Sequence, residues 1–171
     1  QAEKFRRPVI CLVDTPGAFC GVEAENKGQG LIIAEHLRTM ATLKTPIISI
    51  IIGEGGSGGA LALSLADRLI MMENSYFSVI SPEGAASILF KDSSMAQEAA
   101  KNLKLTASDL KSFGIVDNVI REPEGFSRFN MDASVEEIRR VIRAALRRLT
   151  RIPPERLVEN RHQKYLNMRG L

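Results

Sequence analysis

The chain has 171 residues, of which 44% are hydrophobic and 25% are charged, and its formal net charge is +3. This length is enough to bury one core, so a single domain over residues 1–171 is expected. The longest apolar run, residues 46–52, is too short to cross a bilayer, and the first residues do not resemble a secretory signal, so we expect a cytoplasmic protein. Cys11 and Cys20 have neither CxxC spacing nor clustered histidines, which argues against a disulfide or a metal site.

The charge is distributed unevenly. Residues 134–171 contain 10 Lys and Arg against 4 Asp and Glu, whereas the preceding 133 residues contain 13 against 16. A basic segment of this kind can bind nucleic acid, an acidic partner or the phosphates of a cofactor. A helix with a solvated arginine face is the simpler interpretation, and we do not expect a nucleic-acid partner.

The first half of the chain predicts a strand, a helix, a second strand, a glycine-rich turn and a second helix, in that order, at residues 9–13, 26–43, 47–52, 53–59 and 60–66. The first strand is a short apolar run expected to be buried, and the second is rich in β-branched side chains, as central strands are. The first helix is amphipathic, because Ile33, Leu37 and Met40 are spaced by four and three residues.

The second half continues the alternation, with strands at 68–72, 77–80 and 115–120 and helices at 84–90, 93–103 and 106–113. Ser81 and Pro82 are typical of a helix entry. Ser134 begins a capping box and predicts the start of a helix that ends near residues 153–154. The apolar stripe of this helix consists of Val135, Ile138, Ile142, Ala145 and Leu149. This alternation indicates an α/β class, with residues 134–171 as a helical C-terminal extension and residues 121–133 as a linker.

The glycine-rich segment 53–59 is compatible with several chemistries. Gly53, Gly55 and Gly58 match a dinucleotide-binding fingerprint, with Glu73 at the distance of a ribose-binding acid. Against this, a whole strand-and-helix unit precedes the glycines, whereas the fingerprint normally opens its domain. The same segment matches the G-x-S-x-G nucleophile elbow around Ser57.

A serine nucleophile needs a base, and the sequence offers two candidates. His36 lies inside a predicted helix and His162 lies in the basic tail, and neither has the setting of a triad partner. Asp14 to Gly17 resemble the DxxG of GTPases, but no phosphate-binding G-x-x-x-x-G-K-[ST] loop accompanies them.

A third interpretation needs no side-chain nucleophile. Glycines at a helix N-terminus expose backbone N–H groups, which can form an oxyanion hole. A tight turn that only brings a helix close to a strand explains the glycines equally well.

Several segments together resemble one family, the carboxyltransferase alpha subunits of bacterial acetyl-CoA carboxylase. They follow one another in order along the chain, at residues 13–19, 21–25, 28–30, 52–62 and 78–89, with further similarity at 2–5 and 160–165. The resemblance implies a crotonase-like spiral of strand-strand-helix repeats, incomplete at the N-terminus because members of the family begin further upstream, with C-terminal helices.

The resemblance also implies an activity and its components. A carboxyl group would move from carboxybiotin on a carrier protein to acetyl-CoA, giving malonyl-CoA for fatty acid synthesis. The implied partners are a zinc-containing beta subunit, the biotin carboxyl carrier protein and biotin carboxylase, in an alpha2beta2 hetero-oligomer that needs no metal from this chain. A carboxyltransferase or decarboxylase for another acyl-CoA, or a truncated chain that only binds partners, remains an alternative.

In the family pattern, the backbone oxyanion hole carries over to Gly58 and Gly59. The residues implied to bind substrate are Gly55, Gly56, Ser57, Gly17, Ala18, Ser81, Pro82, Glu83 and Gly84. One departure is that the family commonly has Gly-Gly-Ala-His after the last strand, where this chain has Gly125 to Arg128.

Overall fold

The fold is a parallel sheet of five strands with helices on both faces. The computed structural model describes residues 1–123 and 131–168, so residues 124–130, including the departure from the family pattern at Gly125 to Arg128, lie outside the described part. The strands are β1 (Val9–Thr15), β2 (Ile47–Gly56), β3 (Arg68–Met72), β4 (Tyr76–Ser78) and β5 (Asn118–Ile120). The order is β1-β2-β3-β5, and β4 pairs with the far end of β2. Because every pairing is parallel, all five strands end at the same edge of the sheet.

The helices connect these strands in the alternating pattern that the sequence predicts. They are α1 (Val22–Asn26), α2 (Gln29–Thr42), α3 (Ser57–Ser64), α4 (Pro82–Leu89), α5 (Ala96–Leu103), α6 (Ala107–Ser112), α7 (Met131–Leu149) and α8 (Pro154–Leu166), with a 3₁₀ turn at Ser93–Met95. The α/β prediction is therefore confirmed. None of the helices in the described ranges is both long enough and apolar enough to span a bilayer.

The core has two layers, one on each face of the sheet. Alternate residues of β2 and β3 face opposite sides, as the two-residue period of a strand requires. One face packs on α3 and α6 through Ile51, Leu69, Met71, Ala60 and Leu110. The other packs on α7 and α8 through Ile48, Ile50, Ile70, Ile142, Leu149 and Leu157.

The predicted burial of the first strand is only partly right. Val13 is fully buried, but Ile10 is 43% exposed and Leu12 is 57% exposed. Ile10 and Leu12 pair with Ile48 and Ile50, on the face that α7 and α8 cover further along the sheet. Because β1 is the last strand on its side in the described sheet, these helices do not reach it.

Several other local predictions were wrong in their boundaries; the strand expected at 115–120, for example, covers only Asn118–Ile120. The helix expected at 26–43 is interrupted at Gly28, which has a left-handed φ of +75°, although Met40 of its apolar stripe is buried in the core and Ile33 and Leu37 are half-buried. No turn occupies 53–59, because β2 runs to Gly56 and α3 begins at the next residue. Ser134 lies inside α7 with its hydroxyl buried and without a hydrogen-bond partner in the part of the chain that the structure describes, so it does not begin the helix.

A buried ion pair joins α8 to the opposite edge of the sheet, where the strands begin. Arg161 is 1% exposed, and its guanidinium contacts both carboxylate oxygens of Asp67 at 2.9 Å. The same side chain donates to the carbonyls of Met40, Leu43 and Thr45, at the end of α2 and the start of β2. Asp67 in turn accepts the backbone N–H of Ile47 at 2.7 Å. Every charge in this cluster is thus compensated, which a buried ion pair requires.

The neighbouring residues of α8 have related structural roles. Lys164 binds Asp117 at 2.6 Å, and the Tyr165 hydroxyl accepts the backbone N–H of Ala66 at 2.7 Å. The 160–165 segment that carries part of the family resemblance therefore holds α8 on the sheet.

We predict that Arg161→Met strongly destabilises the fold. The substitution leaves Asp67 and three carbonyls without their donor in a buried site, and breaking a buried pair costs about 3–5 kcal/mol. Urea unfolding followed by circular dichroism measures the change. The matched control is Arg156→Met on the same helix, whose pair with Glu159 is exposed and worth about 0–1 kcal/mol. Equal midpoints for the two variants would contradict the role of Arg161.

Candidate oxyanion site at the carboxyl edge of the sheet

The central strand passes directly into a helix at the carboxyl edge of the sheet. Ser57 makes the change of direction with a left-handed φ of +55°, and α3 begins there. The N–H groups of its first turn, which include Gly58 and Gly59, have no acceptor within an α-helix, and no side chain of residues 1–123 or 131–168 caps them. The helix dipole adds partial positive charge at this point. The junction therefore presents backbone donors suited to an anion.

The end of β1 crosses this junction in backbone contact. A Cβ on Gly56 would lie 1.9 Å from the Pro16 carbonyl oxygen, and one on Gly59 would lie 2.7 Å from the Ala18 nitrogen. Gly17 has a φ of +143°, and a Cβ added to it would lie only 3.2 Å from the Cβ of Ser57. The structure therefore brings Gly17 and Ala18 together with the glycine junction, and their role in binding substrate stays a prediction.

Gly58 differs from its neighbour. A Cβ at this position would meet only Ile33 Cδ1, at an ordinary 3.5 Å. Backbone crowding therefore requires glycine at position 59 but not at position 58.

The third predicted binding segment begins α4. Gly55 pairs with Phe77 and Gly56 with Ser78, so β4 delivers the chain to the same edge. Ser81 is the N-cap of α4, and its hydroxyl accepts the N–H of Gly84 at 3.1 Å. The short contacts of Gly84 are to Ile80 and Ser81. Ser81, Pro82, Glu83 and Gly84 thus lie at the same edge of the sheet as the glycine junction, and their binding role stays a prediction.

An apolar pocket of about 300 Å³ opens next to the junction. Its polar members are Ser57, Gly58 and Ser78, and its apolar lining consists of Leu61, Phe77, Val79, Leu103, Leu110 and Ile115. No local sequence signal marks this apolar lining, because α5 and α6 reach the junction only through tertiary packing. An apolar wall beside backbone donors strengthens their electrostatic effect, since little water screens them.

The hydrolase interpretation meets only half of its requirements. A left-handed residue between a strand and a helix is the geometry of a nucleophile elbow. His36, however, is exposed on α2, and His162 contacts the Ala41 carbonyl oxygen at 3.1 Å near the C-terminal end of that helix. Neither histidine is placed to act as a base for Ser57.

The dinucleotide interpretation also fits poorly. Gly53 and Gly55 lie within β2 rather than in a loop, and Glu73 accepts the backbone N–H of Glu122 at 3.1 Å. The acid expected to bind a ribose is therefore engaged in joining the ends of β3 and β5.

A tyrosine and several carboxylates lie at the same edge. Burial raises the pKa of Tyr76 above its ordinary value, and the charges of Glu54, Glu83 and Asp14 raise it further. Tyr76 is therefore neutral at physiological pH. Over residues 1–123 and 131–168, no group of three or more His, Cys, Asp or Glu side chains is arranged to hold a metal ion.

Comparison with known proteins identifies relatives over almost the whole chain. The family model described as acetyl co-enzyme A carboxylase carboxyltransferase-like matches residues 1–169. An acetyl-coenzyme A carboxylase carboxyl transferase subunit alpha from Clostridium perfringens is 55% identical over 168 residues, which are 98% of this chain and 62% of that protein. The subunit of the same name from Geobacillus thermodenitrificans is 52% identical over 98% of this chain and 52% of its own length. The chain thus spans between half and two thirds of the curated relatives it matches.

Solved structures confirm the crotonase-like fold prediction. A transcarboxylase 12S with methylmalonyl-coenzyme A and methylmalonic acid bound superposes with a TM-score of 0.71 at 25% identity, over 85% of this chain and 28% of that one. A Pseudomonas malonate decarboxylase hetero-tetramer in complex with coenzyme A gives 0.73 at 20% identity, over 91% and 61%. The second likeness shows the fold alone.

We predict that Gly59→Ala destabilises the protein and Gly58→Ala does not. The added methyl group at position 59 meets the backbone of Gly17 and Ala18 below 3 Å, whereas at position 58 it has ordinary space. Alanine also suits a helix better than glycine by about 0.5–1 kcal/mol. Thermal unfolding of the two adjacent variants measures the difference. A Gly59→Ala midpoint at or above that of Gly58→Ala would show that the backbone crossing is not tight.

Proposed function

Because this chain belongs to the acetyl co-enzyme A carboxylase carboxyltransferase-like family, we propose that it is part of an enzyme that moves a carboxyl group from carboxybiotin, held on a carrier protein, to acetyl-CoA. The product is malonyl-CoA for fatty acid synthesis. The observation that carries the proposal is the pair of uncapped N–H groups, Gly58 and Gly59, at the start of α3 beside an apolar pocket. A cytoplasmic location, expected from the sequence, is part of this proposal.

The residues at the junction suit the biotin ring system. Its fused rings are compact and largely apolar, and the pocket of about 300 Å³ has an apolar wall with donors beside it. When bound, carboxybiotin would supply the carboxyl group, and its loss would leave negative charge on the ureido oxygen. The N–H groups of Gly58 and Gly59 would donate to that oxygen, and each donor of this kind contributes roughly 2.7–4 kcal/mol to the stability of an oxyanion.

The remaining predicted residues of this site have supporting roles in the proposal. Gly55 and Gly56 carry β2 to the junction, and Gly17 and Ala18 form the wall behind it. The α4 entry, Ser81 to Gly84, provides a second helix N-terminus at the same edge. The outward N–H groups of that turn suit the polar part of a substrate.

A second subunit completes the proposed reaction. The acetyl methyl group must lose a proton to form an enolate; the ureido group left after loss of the carboxyl group would accept this proton, and the enolate would attack the released carbon dioxide. This second oxyanion needs its own donors, which we assign to a zinc-containing beta subunit. Phe19 is 72% exposed and Val79 is 80% exposed, and both lie on segments that border the junction, where a partner would cover them. The other proposed components are the biotin carboxyl carrier protein and biotin carboxylase, in an alpha2beta2 assembly.

We predict that Gly58→Val lowers carboxyl transfer about a hundredfold or more and leaves the fold intact. The Cβ has room, since the nearest atom is Ile33 Cδ1 at 3.5 Å, but the branched side chain is expected to crowd the space next to the two N–H donors. Binding of acetyl-CoA is expected to persist, because the acyl-CoA oxyanion is assigned to the partner. The assay follows malonyl-CoA formation in the assembled complex, with propionyl-CoA as a competing acceptor.

The matched control is Gly30→Val, in the first turn of α2, where a Cβ meets nothing within 4 Å. Gly58→Val activity within a few-fold of Gly30→Val would remove the oxyanion assignment. Preference for propionyl-CoA in the wild type would reassign the substrate.

We predict that Ser57→Ala reduces turnover by less than about tenfold, because Ser57 supplies a backbone bend and no nucleophile. Loss of a true serine nucleophile costs about a millionfold. A fluorophosphonate probe, read by intact mass, is expected to leave Ser57 unlabelled. Stoichiometric labelling would replace the carboxyltransferase mechanism with a serine-based one.

A further inference from the structure

The pairing of the two strands that lead to the junction is irregular just before they reach it. Val13 pairs with Ile51, but Thr15 pairs with Gly55. One residue of β1, Asp14, therefore lies opposite residues 52–54 of β2, so β2 bulges outward there. Backbone N–H groups in a bulge lose their ladder partners.

The carboxylate of Asp14 compensates for this irregularity. Its Oδ1 accepts the backbone N–H of Glu54 at 2.9 Å. A Cβ on Gly53 would lie 2.6 Å from the same oxygen, so the absence of a side chain at position 53 makes room for the carboxylate. Asp14 is itself exposed, and the core does not depend on it.

The bulge lies directly upstream of the donors. After Glu54, only Gly55 and Gly56 separate it from Ser57, where α3 begins. Just beyond Asp14, the Pro16 carbonyl packs closely against Gly56, and the Gly17 backbone packs closely against Gly59. Besides the pairing of Thr15 with Gly55, the hydrogen bond from the Glu54 N–H to Asp14 thus connects the two segments just before the junction.

We propose that Asp14 is a positioning residue for carboxyl transfer: by holding the bulge of β2, its carboxylate aligns the N–H groups of Gly58 and Gly59. This inference rests on the proposed function of those two groups. A displacement of about 1 Å at a reacting centre can cost about a hundredfold in rate, so a modest shift of the bulge has a measurable effect.

The test is a double-mutant cycle between positions 14 and 53, assayed in the assembled complex. Asp14→Ala is expected to lower kcat by about 10- to 100-fold with little change in KM for acetyl-CoA. Gly53→Ala is expected to do the same, because its methyl group displaces the carboxylate. The double variant is expected to be no worse than either single variant, since both remove one hydrogen bond.

Two further variants separate positioning from a charge effect or a general loss of stability. Asp14→Asn retains an oxygen acceptor and is expected to restore most of kcat. Glu98→Ala, which removes an exposed carboxylate on α5, is expected to match the wild type. Wild-type kcat in Asp14→Ala, or additive losses in the cycle, would overturn the inference.

Hydrogen exchange of the Glu54 amide gives a readout that does not depend on activity. It is expected to accelerate at least about tenfold in Asp14→Ala and Gly53→Ala, and to stay near the wild-type rate in Asp14→Asn. If the wild-type complex showed no carboxyl transfer, the proposed function would be wrong. The exchange rates would still show whether Asp14 holds the Glu54 N–H. Unchanged exchange in Asp14→Ala would overturn the role of Asp14.

Discussion

The arrangement of the candidate site depends on one close backbone crossing. The segment after β1 passes over the β2–α3 junction with a separation that leaves no space for a Cβ at Gly56 or Gly59. This contact explains why small residues concentrate where the two strands end, and it is independent of any ligand. It also fixes the direction of α3, because the helix cannot tilt toward β1 without collision. The uncapped N–H groups of α3 are therefore held in place before any substrate arrives, which is the condition for electrostatic preorganisation.

The two edges of the sheet have different physical characters. At the carboxyl edge, backbone donors, an apolar pocket and exposed apolar side chains lie together. At the opposite edge, polar groups are satisfied internally around Arg161 and Asp67. The strands are thus anchored by a buried ion pair where they begin, and where they end they present backbone N–H groups without protein acceptors among the described residues. This division is common in parallel α/β proteins, where binding residues gather at the carboxyl ends of strands.

Sequence reasoning predicted the elements whose signal is local. The β-branched run of β2 and the stripe of Ile33, Leu37 and Met40 were recognisable because burial imposes a period on neighbouring residues. The glycines at 53–56 were assigned to a turn, although pairing with β1 and β4 keeps them in a strand, and that pairing involves residues up to 40 positions away. The same limit hid the pocket wall, since Leu103 and Leu110 reach Gly58 only through packing of α5 and α6. The helix start predicted at Ser134 was wrong for a different reason, because a serine three residues before an acid also occurs inside helices.

The buried contact between Arg161 and Asp67 also has a consequence for biosynthesis. The two residues are separated by 94 positions in the sequence, so Arg161 is translated long after Asp67 and the strands around it. Until α8 has left the ribosome, the nascent sheet holds Asp67 at the start of β3 without its guanidinium partner. The early strands therefore cannot reach their final stability before α8 has emerged and packed on the sheet. Folding of the sheet in this respect depends on a helix that is made long after the strands it stabilises.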